Sequence, residues 1–141
     1  MQSTAPTHER AIAGVTHGLI ELGETVTWQG RHFGLVLQHE TKITQYDKPR
    51  HFQDVMVRGT FRSFVHDHYF EPAPEGYTMM RDVLRFAAPL GPFGRIAEAL
   101  VLKPYLCRFL VARNQAIRTI AESSPEVWEP FVSRDPNGRM L

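Results

Sequence analysis

The chain divides into two unlike halves, and this division is the strongest constraint on what it can fold into. Residues 23–86 fall into consecutive runs in which apolar and polar residues alternate, a pattern typical of half-buried β-strands. In residues 89–122 apolar side chains instead recur mostly at steps of three and four, which predicts one apolar face on a helix. Residues 88–94 carry two prolines and two glycines, which end a strand and can begin a helix. The sequence therefore predicts an α+β fold.

The predicted sheet is antiparallel, because short turns connect its strands. Alternation predicts strands at about residues 8–13, 24–33, 35–46, 52–58, 64–70 and 79–86. Connections this short favour a meander, in which each strand pairs with the next one along the chain. We expect about six strands to curve around the long helix. A kink is expected near Pro104, since a proline in mid-helix removes a backbone hydrogen bond.

Length and composition bound the class of protein. The 141 residues can bury one core, and the expected division is a domain at residues 1–122 followed by a loose tail at 123–141. The formal net charge is +1, with basic residues scattered among carboxylates, so no nucleic-acid partner is expected. The single cysteine, Cys107, excludes an internal disulfide framework, and no apolar run is long enough to cross a bilayer. We therefore expect a cytoplasmic protein without stable membrane insertion.

One face of the predicted sheet combines apolar and polar side chains and would form the concave wall of a cavity. Buried polar groups are costly unless they are paired, so several on one inner face indicate water, a ligand or a hydrogen-bonded network. The apolar residues expected to line the cavity, three of them from the helix, are Trp28, Leu37, Met56, Phe64, Met80, Leu84, Phe86, Phe93, Ile96 and Leu100. The polar residues expected there are His32, His39, Asp54, His66, His68 and Asp82.

Three interpretations of these polar residues stay open. In the first, the histidines and aspartates satisfy one another or the backbone of nearby loops. In the second, they orient the polar end of an apolar ligand, as a few well-placed polar groups do in small-molecule pockets. In the third, His66 and His68, two apart on one strand face, join another histidine or an aspartate as metal ligands. From the sequence we assign no metal ligand and no cofactor.

Four segments resemble a known family. They are GETVTW at residues 23–28, HFG at 32–34, FVHDHYFEP at 64–72 and PLGPFG at 89–94. In this combination the chain resembles bacterial SRPBCC proteins, the superfamily of START domains, polyketide cyclases and birch-pollen-type allergens. The similarity spans about residues 8–122 and implies a helix-grip (START-like) fold. It does not imply one activity, because family members either bind lipids, sterols or polyketides or catalyse cyclisation and dehydration.

The chain departs from the family pattern at its start. Family members carry a first strand and two short helices before the segment that begins here at Met1. Without that strand, backbone groups at one edge of the sheet would be unpaired, which makes the edge a template for association. We therefore expect either a true start further upstream or a homodimer that pairs the exposed edges.

The residues and the resemblance together predict a protein that binds or carries a hydrophobic or amphipathic small molecule, such as a lipid, an isoprenoid or a polyketide-like compound. The ligand is expected in a cavity between the sheet and the C-terminal helix, without covalent chemistry. The alternative is a small cyclase or dehydratase. In that case His66 and His68, together with Asp82, would carry out general acid–base catalysis.

Overall fold

The computed structural model describes residues 9–16, 18–89 and 91–132. Its sheet has six antiparallel strands, which follow the order of the chain from one edge to the other. They are β1 (Arg10–Gly14), β2 (Thr25–His32), β3 (Leu35–Asp47), β4 (His51–Arg58), β5 (Ser63–Pro72) and β6 (Thr78–Ala87). The predicted α+β class and the curved antiparallel sheet are confirmed, whereas the helix-grip fold itself stays a prediction. His8, expected in the first strand, lies outside the described residues.

A long helical segment follows the sheet and contains one irregular turn. Helix α1 (Gly91–Ala97) leads through a wide π-helical turn (Glu98–Leu102) into α2 (Lys103–Ala121). Pro104 follows directly after the wide turn, where it has no N–H to donate to the preceding helical turn. The backbone stays helical on both sides of the wide turn. The irregularity expected at Pro104 therefore takes the form of a wide turn just before it.

The segment predicted to be a loose tail contains a third helix, α3 (Pro125–Val132). The fixed φ of Pro125 suits the first position of a helix. The Val127 N–H donates to the Ser124 carbonyl oxygen at 2.9 Å, which closes the first turn. The rest of the predicted tail, residues 133–141, lies outside the described part of the chain.

Strand register brings the predicted cavity residues of the sheet onto one face. Residues directly opposite one another on neighbouring strands share a face. Trp28 lies opposite His39, and His66 lies between Asp54 and Leu84. We call this surface, which α2 contacts, the inner face, and the opposite surface the outer face. The inner face carries Trp28, His32, Leu37, His39, Asp54, Met56, Phe64, His66, His68, Met80, Asp82, Leu84 and Phe86.

The buried interior holds as many polar as apolar residues. Among the described residues, the buried apolar ones are Val26, Ile43, Ala88 and Leu106, and the buried polar ones are Thr41, His66, Asp67 and His68. A buried polar group costs free energy unless it finds a partner. The partners of these groups therefore decide whether each of them stabilises the fold or belongs to a binding site.

The prediction of one continuous apolar face along the helix was wrong before and within the wide turn. Phe93, Ile96 and Leu100 are 79%, 59% and 73% exposed, whereas Leu106 in α2 is buried. A π-helical turn inserts about one residue, so it rotates the residues before it by about 100° relative to a regular helix. The buried position in α1 is Gly94 instead.

Candidate functional site

Four polar side chains meet at the centre of the inner face. Asp54 on β4, His66 and His68 on β5, and Asp82 on β6 occupy neighbouring register positions. They point the same way because alternate residues of a strand lie on one side of the sheet. Their side chains are 15%, 6%, 1% and 4% exposed, in that order. We call these four residues the inner cluster.

Each imidazole of the inner cluster lies between two carboxylates. His68 Nε2 donates to Asp54 Oδ1 at 3.0 Å, and His68 Nδ1 lies 2.8 Å from Asp82 Oδ1. His66 Nε2 lies 3.2 Å from the same Asp82 oxygen, and His66 Nδ1 lies 3.9 Å from Asp54 Oδ1. Phe52 stacks on the His68 ring, with centroids 4.1 Å apart, which restricts rotation of that ring.

Five buried polar atoms of the described residues have no hydrogen-bond partner, and all belong to the inner cluster or to the part of α2 beside it. They are His66 Nε2, His68 Nδ1, Asp82 Oδ1, Arg113 Nη1 and Asn114 Oδ1. Asp82 Oδ1 is close to both ring nitrogens, but its position is not aligned with a hydrogen bond to either of them. The Asn114 side chain is joined to the cluster through Nδ2, which donates to Asp82 Oδ2 at 2.5 Å.

The electrostatics of the inner cluster favour an ionised Asp82 beside a neutral His66. Burial raises the pKa of Asp82, but the two adjacent imidazoles and the Asn114 amide outweigh burial and hold this pKa well below its ordinary value. Burial also lowers the pKa of His66, and the nearby Asp82 carboxylate opposes that shift only in part. An ionised carboxylate and a neutral imidazole both offer free electron pairs, as a polar ligand or a metal ion requires.

A second acid–histidine pair, Glu9 and His39, lies elsewhere on the inner face. The Glu9 Oε1 atom lies 4.0 Å from His39 Nε2. Burial raises the pKa of Glu9 to about 7, although the Arg113 guanidinium opposes the shift. Burial also disfavours the charged form of His39, and it therefore lowers the pKa of His39 to about 4. Sequence analysis missed Glu9, because the first strand was too short for alternation to assign its residues to a face.

Helix α2 contacts the inner face at a further point through Tyr105. The Tyr105 hydroxyl and His32 Nδ1 share a hydrogen bond of 2.6 Å. The Tyr105 ring also packs on Phe33, with centroids 4.5 Å apart. Burial lowers the pKa of His32, which favours the neutral ring in this contact. Sequence analysis assigned His32 to the cavity but missed Tyr105, whose position did not fall on the predicted apolar face of the helix.

The structure brings together His66, His68 and Asp82, the residues predicted to act if the protein is an enzyme, and places Asp54 beside them. The other predicted residues of the sheet are half-buried around them, namely Trp28, His32, Leu37, His39, Met56, Phe64, Met80, Leu84 and Phe86. The predicted helix residues Phe93, Ile96 and Leu100 do not join them, because the rotation at the wide turn leaves these side chains exposed.

An open groove of about 440 Å³ adjoins the inner cluster where β6 meets the helical segment. Leu84, which pairs with His66 across the strands, and Phe86 are its apolar lining residues from β6. The remaining lining residues are Arg85, Arg95, Glu98, Ala99 and Lys103. The Glu98 carboxylate accepts a hydrogen bond from the Ala88 N–H, which ties the wide turn to the end of β6.

The outer face carries a buried aspartate of a different kind, which sequence analysis did not assign. Asp67 is 2% exposed, and His51 Nε2 and Gln53 Nε2 donate to its Oδ1 at 3.0 and 2.8 Å. Arg85 Nη2 donates to Asp67 Oδ2 at 2.5 Å. Burial raises the pKa of Asp67, but these hydrogen bonds outweigh burial, so the net shift is downward. Both carboxylate oxygens of Asp67 are thus partnered, which is the arrangement expected of a residue that stabilises the fold.

No helix of the described residues is long and apolar enough to span a membrane. In comparisons with known proteins, no family model and no curated protein matches this sequence. Membership of the SRPBCC superfamily therefore stays a prediction from the motifs.

Proposed function

We propose that the protein binds a hydrophobic or amphipathic small molecule between the inner face of the sheet and helix α2. The observation that carries the proposal is the concentration of unpartnered buried polar atoms at this interface. Each such atom costs about 1–3 kcal/mol when it is left without a partner. A ligand whose polar end reaches these atoms would recover that free energy, so the site favours a molecule with a polar group.

The apolar part of the ligand would lie on the half-buried side chains around the inner cluster. Leu84 and Phe86 connect the cluster to the groove, so a ligand with its polar end at Asn114 can extend its apolar body along β6. Arg95 and Lys103 at the rim favour a ligand without positive charge at that end. A lipid, an isoprenoid or a polyketide-like compound has this combination of parts. The cyclase or dehydratase alternative uses the same cluster and stays a prediction.

A groove-filling substitution tests the proposal. Ala99 lies in the groove and is exposed, so Ala99→Trp fills the space without entering the core. Ala121→Trp is the matched control, because it places the same side chain at an exposed helical position that does not line the groove. Binding of a dansyl-labelled fatty alcohol, whose hydroxyl group can donate to the unpartnered acceptors, should weaken by about tenfold or more in Ala99→Trp and stay unchanged in the control, as followed by fluorescence. Equal binding by both variants, or no binding by the wild type, would contradict the proposal.

A further inference from the structure

We infer that His66, His68 and Asp82 form a binding site for a first-row divalent transition-metal ion. The proposed ligand atoms are His66 Nε2, His68 Nδ1 and Asp82 Oδ1. Two imidazoles and one carboxylate are a common protein donor set for such ions. This inference goes beyond the proposed small-molecule binding and does not depend on it, because the ion would occupy three of the five unpartnered atoms and leave Arg113 Nη1 and Asn114 Oδ1 for an organic ligand.

The distances from the carboxylate oxygen to the two ring nitrogens fit adjacent positions of an octahedron. Asp82 Oδ1 lies 2.8 Å from His68 Nδ1 and 3.2 Å from His66 Nε2. Ligand atoms at about 2.1 Å from a metal stand about 3.0 Å apart when the site is octahedral and about 3.4 Å apart when it is tetrahedral. The observed distances lie around the octahedral value. Three further coordination positions would then remain for solvent or for a ligand oxygen.

The same three atoms are buried and without hydrogen bonds, which is the independent observation behind the inference. Their side chains are at most 6% exposed. A proton shared between Asp82 and either ring would have to lie along an N–H direction, and the geometry does not provide that alignment. A metal ion bound to all three atoms satisfies them together, since each contributes one electron pair.

Neighbouring residues orient the proposed metal ligands through hydrogen bonds, as residues around the ligands do in known metal sites. A ligating histidine usually donates its second N–H to a carboxylate or carbonyl, which fixes the ring and its tautomer. His68 Nε2 makes this contact with Asp54 Oδ1 at 3.0 Å. Asn114 Nδ2 holds the second oxygen of Asp82 at 2.5 Å and leaves its first oxygen available. The donors are thus oriented before any ion binds.

Asp54 is the competing choice for the third ligand. Atoms of Asp54, His66 and His68 that could bind a metal all lie within 4.8 Å of one another. However, Asp54 Oδ1 already accepts the His68 hydrogen bond and lies 3.9 Å from His66 Nδ1, further than the corresponding distance to Asp82. The geometry therefore assigns Asp82 to the metal and Asp54 to the support of the histidine.

The net negative charge of the inner cluster is compatible with a bound cation. A comparison with the outer face shows that missing hydrogen bonds are a property of the inner cluster. The two carboxylates of the inner cluster exceed the single positive charge of Arg113, the guanidinium that acts on His66. The outer pair of His51 and Asp67 has the same chemistry on the same two strands, β4 and β5, but its carboxylate oxygens are fully hydrogen-bonded. Only the inner group of the described residues combines metal-binding atoms with missing partners.

The test uses Co²⁺, whose visible absorption reports its coordination number. The full chain, without a histidine tag and freed of metal with a chelator, is titrated with Co²⁺ and followed by absorption and calorimetry. We expect one ion per chain, with the weak absorption of a six-coordinate site. Absence of stoichiometric binding by the wild type would overturn the inference, as would the intense spectrum of a four-coordinate ion.

Three isosteric variants assign the ligands. Asp82→Asn should abolish stoichiometric Co²⁺ binding, and Asp54→Asn should weaken it by about 10- to 100-fold, as loss of a supporting residue does. Asp67→Asn, which removes a buried charge on the outer face, should leave Co²⁺ affinity unchanged. Circular dichroism establishes that each variant is folded. Unchanged binding in Asp82→Asn, or equal loss in Asp67→Asn, would overturn the assignment, and wild-type binding remains a test if Asp82→Asn does not fold.

Discussion

At the scale of single residues, Glu9 and His39 make stability depend on pH in opposite directions. The folded-state pKa of Glu9 is about 7, above its ordinary 4.5, so its contribution to stability is complete below pH 4.5 and is lost as the pH rises to about 7. The folded-state pKa of His39 is about 4, below its ordinary 6.5. The contribution of His39 is therefore complete above pH 6.5 and is lost as the pH falls to about 4.

Single substitutions should separate these two contributions. Relative to the wild type, Glu9→Gln should gain stability as the pH rises from 4.5 to about 7, because the variant lacks a group that loses its contribution there. His39→Gln should gain stability relative to the wild type as the pH falls from 6.5 to about 4, because the variant lacks a group that loses its contribution there. Urea unfolding at a series of pH values measures both differences. Identical pH profiles for the wild type and Glu9→Gln would contradict the buried position of Glu9.

Asp67 should behave as a structural residue. Asp67→Asn is expected to lower the free energy of unfolding at pH 7 by about 1–3 kcal/mol, because it weakens charge-assisted hydrogen bonds to a buried carboxylate. The folded-state pKa of Asp67 is lowered, so its contribution is present above the unfolded-state pKa and is lost as the pH falls further. The difference between the wild type and Asp67→Asn should therefore shrink in acid. A difference that is constant with pH would contradict this assignment.

At the scale of elements, helix α1 depends on the absence of a side chain at Gly94. In an exposed helix, replacing glycine by alanine stabilises by about 1 kcal/mol. Here a Cβ atom would collide with the Pro89 carbonyl oxygen and would come within 3.4 Å of Ala88 Cβ. We expect Gly94→Ala to destabilise the protein by about 1–3 kcal/mol, measured by thermal unfolding. Ala97→Gly is the control, because at this exposed position it changes only the helix propensity. A Gly94→Ala variant that is more stable than the wild type would contradict the close packing at Gly94.

The strands could be predicted well from the sequence, because the alternation of apolar and polar residues is a local property. The strand register then keeps residues of the same kind on one face of the sheet. His66 and His68 could be placed with Asp54 and Asp82 on one face since each lies in an unbroken alternating run. The wide turn at Glu98–Leu102 could not be predicted in the same way. Pro104 signals an irregularity, but the form that it takes depends on how the turn packs against β6. The exposure of Phe93, Ile96 and Leu100 follows from that turn, so it was missed as well.

The chemistry of the candidate site was only half predictable. Alternation gives the residues of the inner cluster but not the rotation of the His66 and His68 rings, which decides whether Asp82 Oδ1 receives a hydrogen bond. The contact of Asn114 with Asp82 depends on the phase of α2 over the sheet, which the wide turn sets. Both features depend on contacts between residues far apart in the sequence, and no local pattern records them.

At the scale of the whole molecule, β1 and β6 form the two edges of the described sheet. An open edge can pair with the edge of another copy, and we expect a concentration-dependent homodimer through β1. Ile12 in β1 is 39% exposed, so Ile12→Lys should raise the dissociation constant of the dimer by about tenfold or more, measured by sedimentation velocity. Val57→Lys on the interior strand β4 is the control and should have no effect. A wild type that stays monomeric at all concentrations would contradict the expectation.

The most direct test of ligand binding is native mass spectrometry of the full chain, purified without detergent or delipidation. If the chain binds a small molecule as proposed, the spectrum should contain a peak at the mass of the chain plus one small organic molecule. Fragmentation would identify that molecule. Ala99→Trp should lose the added mass, whereas Ala121→Trp should keep it. A folded wild-type chain that carries no added mass and does not bind the fatty-alcohol probe would contradict the central claim.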